Sequence, residues 1–390
     1  MGAGAYALNR AQALAGNPNP QVISFLVAPV GGGANVGDGL LPSDMDGATL
    51  PPVGSPNFYL GSQDNNGPYG APFDALNLYR FHADFVTPPN STFTLAATIP
   101  TAAFNSILGL CNGGRACIPQ PGTAVKIDHL GYRQRPLFRL AYRNFGDHES
   151  LVTNQSVSAG NGPNGEVSGI RWWEIRAPNG TPTIFQQGTY APGLTDGIHR
   201  WMGSIAMDDQ GNIAMGYSAS NGSNPAVFPS VRYTGRLAND PPGLMTLGEA
   251  DIVTGTGSQT SSFFRWGDYT SLSLDPTDDQ TFWHVNEWVP VTSVSGWVIR
   301  VGAFKIATGA QNITLQARPK QRNGKTQVIL TWSPADGGNI NVLRDGVIVQ
   351  TTPDDGNTKD NLRTQTGTFT YQVCETDSGD CSNEVDVIVP

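Results

Sequence analysis

The chain of 390 residues holds 47 glycines, 29 prolines and only 14% charged residues. This turn-rich, charge-poor balance fits many short strands and excludes an architecture of long helices. The formal net charge is −9 with no Lys/Arg-rich run, which sets nucleic acid aside as a partner, and no apolar stretch reaches the roughly 18 residues that span a bilayer.

Strand-like runs begin almost at once, at Ala5 to Ala11 and Gln21 to Pro29, separated by Gly16-Asn-Pro-Asn-Pro20. A glycine loop follows, and Leu41 to Gly47 opens a new unit with strands predicted at Asn57 to Gly61, Leu76 to Phe85 and Phe93 to Ile99. A long loop from Pro100 to Gly122 leads to strands at Leu137 to Arg143, Glu149 to Ser156, Gly169 to Arg176 and Thr183 to Tyr190. The next unit uses Gly203 to Met207, Ile213 to Ser218, Val231 to Arg236 and Ala250 to Thr254. The last shows three strands, at Tyr269 to Leu274, Thr281 to Trp288 and Trp297 to Phe304.

Two features repeat across these units. His199-Arg200-Trp201 and Phe264-Arg265-Trp266 each lead into an alternating run ending on Asp, Asp208 and Asp275. Ile170-Arg171-Trp172, Val231-Arg232-Tyr233 and Ile299-Arg300-Val301 hold the same place in three successive units, with Leu78-Tyr79-Arg80-Phe81 a looser copy. Four strands per unit at this spacing is the arithmetic of β-propeller blades. The propeller is predicted over 1–306, with about four to five blades. An opening pair of strands and a closing set of three overfill one shared blade, so the count predicts either an incomplete ring, truncated at the N-terminus, or irregular end blades, with the truncated ring favoured. Such a ring leaves edges that self-association would hide. Met1 to Ala5 has neither the basic region nor the apolar core of a signal peptide, so a start that has been trimmed or replaced is the expectation.

After a short polar linker, 307–312, short strand candidates crowd residues 313–390, with Asp345-Gly346 as a hairpin signal. Trp332 and Tyr371 are natural core anchors of a small β-sandwich. The strands around Leu330-Thr-Trp332 and Thr368 to Val373 resemble a fibronectin type III domain, a module that implies a spacer or adhesion unit. The four cysteines form two close pairs, Cys111 with Cys117 and Cys374 with Cys381. Each pair lies in a turn and is expected to close a local disulfide, as suits an extracellular protein. Neither is C-x-x-C and neither has a His nearby in sequence, which argues against zinc.

The runs Tyr142 to Ser150, Gly188 to Pro192, His199 to Ala206, Arg232 to Leu237, Arg265 to Tyr269 and Thr281 to Trp283 resemble a family of secreted bacterial propellers labelled sialidase-like or BNR-repeat proteins. The resemblance covers roughly residues 5 to 306, and many members carry a fibronectin-like module at the C-terminus. It implies an arginine cluster for a sugar carboxylate, which guanidinium forks bind bidentately. Arg133 or Arg135, Arg200 and Arg265 each precede a first strand, and first strands line a propeller channel, so these residues with Trp201 and Trp266 are the candidate ligand-binding set. The chain lacks a Phe/Tyr-Arg-Ile-Pro motif and a clean Asp-box. The competing reading makes each Arg-Trp pair a brace between blades.

Asp147, Glu149 and Asp268 are the candidate acid/base carboxylates, which need to lie about 5 to 9 Å apart for glycoside hydrolysis; the plainer alternative is turn capping. Asp44-Met-Asp46-Gly47 is a calcium candidate, with two carboxylates on one short loop. No other cofactor is expected. Trp172-Trp173-Glu174 and Trp283 to Trp288 place aromatics beside carboxylates, as sugar-binding surfaces do, although core packing is the commoner use. The sequence therefore predicts a secreted or cell-surface module that binds an extracellular polysaccharide, glycan or surface protein at the channel mouth. Its alternative is an exo-sialidase-like glycoside hydrolase.

Overall fold

The computed structural model of the chain describes residues 2–130, 133–306, 313–322, 324–335, 339–376 and 380–390. The chain divides into two compact units, Met1–Ile306 and Ala307–Pro390, and the predicted linker 307–312 lies outside the described residues.

In the first unit β1 (Ala3–Leu8) and β2 (Val22–Val27) form a two-stranded sheet. A four-stranded meander follows: β3 (Leu41–Asp46), β4 (Asn57–Gln63), β5 (Ala75–His82) and β6 (Thr92–Pro100). A small ribbon, β7 (Ala116–Ile118) with β8 (Ile127–Asp128), interrupts the long loop after it. The second meander is β9 (Leu137–Asn144), β10 (Glu149–Gly162), β11 (Gly165–Arg176) and β12 (Thr183–Tyr190). The third is β13 (His199–Met207), β14 (Ile213–Asn221), β15 (Val227–Arg236) and β16 (Ala250–Val253). A three-stranded sheet closes the series with β17 (Ser271–Leu274), β18 (Phe282–Trp288) and β19 (Val298–Phe304). These are propeller blades, with β3, β9, β13 and β17 as first strands. The repeated Arg triplets fall on β11, β15 and β19, each the third strand of its blade, and the looser copy falls on β5.

The sheets stack face to face because each strand alternates its side chains between two neighbours. Adjacent Trp172 and Trp173 illustrate this. Both are fully buried, Trp173 in the layer shared with Phe58, Leu60, Leu76 and Leu78, Trp172 in the layer shared with Ile205, Met207, Met215 and Tyr217. The next layer is thinner, built on Ala206 and Ala214 against Leu272 and Phe282, so small residues bring those two sheets close. Burying a large side chain of this kind contributes about 1.5–3 kcal/mol. The first two meanders are also joined through the backbone. β3 pairs in parallel with β9, Ser43 opposite Leu140 through Asp46 opposite Arg143, making one eight-stranded sheet that folds back on itself so that β4 and β5 pack against β9, β10 and β11.

The two outer faces of the stack are apolar and exposed. Tyr6, Leu8, Val22 and Leu26 present one on β1 and β2, and Trp283, Val298, Ile299 and Val301 are exposed on β18 and β19.

The second unit is a small β-sandwich. β20 (Thr314–Arg322), β21 (Lys325–Ser333) and β24 (Asn357–Arg363) form one sheet. β22 (Asn339–Arg344), β23 (Val347–Pro353), β25 (Gly367–Glu375) and β26 (Val385–Val389) form the other. Trp332 and Tyr371 are both buried in the core between them. Cys111–Cys117 and Cys374–Cys381 are disulfides separated by 6 and 7 residues.

Candidate functional site

First strands of four blades come together around one opening. A cavity of about 260 Å³ is lined there by Leu41 of β3, Leu137 and Phe138 of β9, Met202 and Gly203 of β13, and Gly267, Asp268 and Thr270 just before β17. Asp38, Leu130 and Arg135 complete its wall from the connecting loops. β13 bulges here, its register to β14 shifting between Trp201 and Ser204, and Met202 takes a left-handed φ of 49°. Leu130 does the same at 55°. Such strained positions in non-glycine residues concentrate at binding and catalytic sites.

A second depression of about 210 Å³ shares Gly267, Asp268 and Thr270 with the mouth and continues over Tyr269, Glu287, Trp297 and Ile299. A third, of about 460 Å³, shares Arg265 and Trp297 and reaches Phe263 and Val294. The result is one groove from the mouth across the outer face of β18 and β19. Phe138, Phe263, Tyr269 and Trp297 are each at least 47% exposed along it, which leaves several aromatic faces open to a ligand.

The charges in the groove are unevenly satisfied. Asp38 accepts from Tyr69 Oη and the Gln134 backbone N–H, both at 2.7 Å, and pairs with Arg133. Asp268 accepts from Arg265 Nε at 2.7 Å. Arg135, by contrast, is exposed at the mouth, and among the described residues its guanidinium has no hydrogen-bond or ion-pair partner. Glu287 accepts from the backbone N–H of Gly267. Burial pushes its carboxyl up to about 7, that N–H opposing the shift and the nearby Asp268 adding to it.

The predicted residues divide between this groove and other places. Arg135, Arg265, Trp266 and Asp268 line it, while Arg133 borders a small cavity behind the mouth. Arg200 does not join them. It is 2% exposed, its forks taken by Asp196 and Glu249 at 2.7 to 2.8 Å. Trp201 and Trp266 are buried with ring centroids 6.4 Å apart. Their ring N–H groups donate to the Asp128 carbonyl and to Ser218 Oγ, each at 2.9 Å.

Asp147 and Glu149 sit beyond the far end of β9, eight residues long, which at about 3.3 Å per residue places them more than about 20 Å from the mouth. Asp147 contacts His148 Nδ1 at 2.6 Å, and Glu149 accepts from Tyr142 Oη and Asn179 Nδ2. Asp44 and Asp46 are on β3, where Arg139 donates to both at 2.8 and 2.6 Å, so a cation there would have to displace a guanidinium.

Glu287, Trp297 and Phe138 were not singled out as site residues from sequence. The aromatics beside a carboxylate in Trp283 to Trp288 are the sequence signal for Glu287, and nothing local marks the other two. Among the described residues, the group that could hold a metal is Cys111, Cys117 and His129, all buried with ligand atoms within 4.8 Å of one another. Chain folding through β7 and β8 supplies the histidine that sequence proximity did not.

No family model matches the chain and no curated protein is significantly similar to it. Among solved structures, a GH43 endo-arabinanase from Bacillus licheniformis aligns over 92% of this chain and 96% of its own, at 11% identity and a TM-score of 0.29. The polysaccharide lyase Uly1 aligns over 96% and 83%, at 11% identity and 0.36. An alpha-L-arabinanase mutant from Cellvibrio cellulosa aligns over 87% and 93%, at 10% identity and 0.28. At identities and scores this low, the chemistry of the chain is read from its own side chains. No helix among the described residues is long and apolar enough to cross a membrane.

Proposed function

We propose that the chain is an extracellular glycan-binding module that holds an acidic polysaccharide segment in the groove leading from the propeller mouth. The observation that carries this reading is the pairing of a guanidinium without a partner among the described residues, Arg135, with exposed aromatic faces along one continuous depression. Guanidinium forks suit sugar carboxylates, and Tyr269 and Trp297 offer flat apolar surfaces on which pyranose rings stack. The carboxylates nearest Arg135 are already engaged by other arginines, so its charge is available to a ligand. Two disulfides support an extracellular setting. The C-terminal sandwich then serves as a fibronectin-like spacer.

The experiment is calorimetric titration with uronate-bearing, sialylated and neutral polysaccharides. Binding to acidic glycans is expected, weakened roughly tenfold or more by Arg135→Ala or Trp297→Ala, the scale of one charge-assisted hydrogen bond or one stacked ring. Equal affinity for neutral glycans, or unchanged affinity in Arg135→Ala, refutes the carboxylate reading.

The second reading, a sialidase-like glycoside hydrolase, is favoured by Glu287, a carboxyl that burial pushes up to about 7, beside the salt bridge of Asp268 with Arg265. Release of reducing sugar from a panel of sialosides and other glycosides, abolished by Glu287→Gln, would establish it in place of simple binding.

A further inference from the structure

We propose that Cys111, Cys117 and His129 form a redox-gated zinc site, closed as a disulfide under oxidising conditions and opened to Zn2+ when the two sulfurs are reduced. Three independent features support this.

The ligand atoms of the three residues all lie within 4.8 Å of one another. A tetrahedral zinc with bonds of about 2.3 Å to sulfur places two thiolates about 3.8 Å apart, so opening the disulfide and drawing in the imidazole needs side-chain movement only.

His129 is 2% exposed, and among the described residues neither of its ring nitrogens has a hydrogen-bond partner. An imidazole buried without partners loses its hydration for nothing in return.

The surroundings discriminate between metals. Leu108, Ile118, Ile127, Trp201, Trp266 and Val289 pack around the cysteines. In such an apolar shell a charge-neutral complex is favoured, and Zn2+ with two thiolates and a neutral imidazole is neutral, whereas Cu+ with the same ligands is an anion.

The chemistry balances with a dithiol as reductant. Its two thiols are oxidised to a disulfide while the Cys111–Cys117 bond takes up two electrons and two protons to give two thiols. Zinc then binds both sulfurs as thiolates and releases those two protons.

The test uses the full chain with Cys374 and Cys381 both changed to Ser, so that one pair of cysteines remains. After phosphine reduction, incubation with Zn2+ and desalting, elemental analysis should find one zinc per chain, against none in the oxidised form treated alike, and Co2+ substitution should show thiolate charge-transfer absorption. His129→Ala should weaken Co2+ binding by roughly tenfold or more, since even outer partners of a metal act on that scale. No zinc in the reduced chain, or undiminished binding in His129→Ala, overturns the proposal. Should that variant fail to fold, X-ray absorption of the zinc-loaded chain decides: two sulfurs and one imidazole support the site, and any other count rejects it.

Discussion

Glu249 and Glu287 show how one physical effect, burial, gives opposite outcomes according to the partner. Burial pushes Glu249 up, but Arg200 and Arg232 reverse the shift and hold its carboxyl below the ordinary range. Glu287 has only one backbone N–H to oppose burial and rises to about 7 from 4.5. Its folded form therefore binds a proton more tightly than the unfolded chain does. The stability it contributes is fully present below pH 4.5 and is lost as pH rises through about 7. Urea unfolding midpoints should accordingly fall across that window, and Glu287→Gln should flatten its share of the fall; parallel curves for the two proteins would contradict the assignment. Local sequence did not reveal this contrast. Arg200 and Arg265 open near-identical motifs, yet one is buried against Glu249, 49 residues away, and the other is 58% exposed against Asp268. Partners supplied from distant segments leave no mark on a motif.

At the level of elements, small residues set the spacing between sheets. A Cβ added to Gly216 of β14 would lie 2.5 Å from the His284 ring of β18, and His284 is itself fully buried. Gly216→Ala should therefore destabilise the first unit by about 1–3 kcal/mol through overpacking. The additional change His284→Ala should recover part of that loss, since contacting residues couple. A double-mutant cycle by chemical denaturation measures this, and strict additivity would show that the two sheets do not meet as described. The repeated Arg triplets on β11, β15 and β19 were legible because third strands of equivalent sheets face equivalent surroundings. Their side chains nonetheless differ in role: Arg171 reaches Gln187 and Thr189, Arg232 pairs with Glu249 and Asp251, and Arg300 is exposed. His284 and Asn286, within the Trp283 to Trp288 run whose composition matches a sugar-binding surface, are buried between sheets, where Asn286 donates to Ser218 Oγ at 3.1 Å. A buried polar residue with a partner on the neighbouring sheet reads, in sequence, like a surface one.

For the molecule as a whole, the succession of sheets was readable because turns and alternating strands are local patterns. The groove was only half readable. Its charged residues recur in motifs, whereas Trp297 and Phe138 reach it through the geometry of the stack. The parallel pairing of β3 with β9 had no sequence signal at all, since it joins positions 97 residues apart, such as Ser43 and Leu140. That seam carries a consequence for how the propeller opens. Sheets held to their neighbours only by side chains can part without breaking a backbone ladder, but β3 to β6 and β9 to β12 share one. Amide hydrogen exchange should therefore find β4, β5, β10 and β11 opening together as one cooperative block, with β18, on an outer sheet, exchanging earlier. Uniform protection from β4 to β18 would mean that the seam confers no such hierarchy. If the hierarchy holds, the groove over β18 and β19 belongs to the part of the molecule most easily loosened, and a ligand lying across it from the mouth would lend that outer sheet the rigidity of the block beneath.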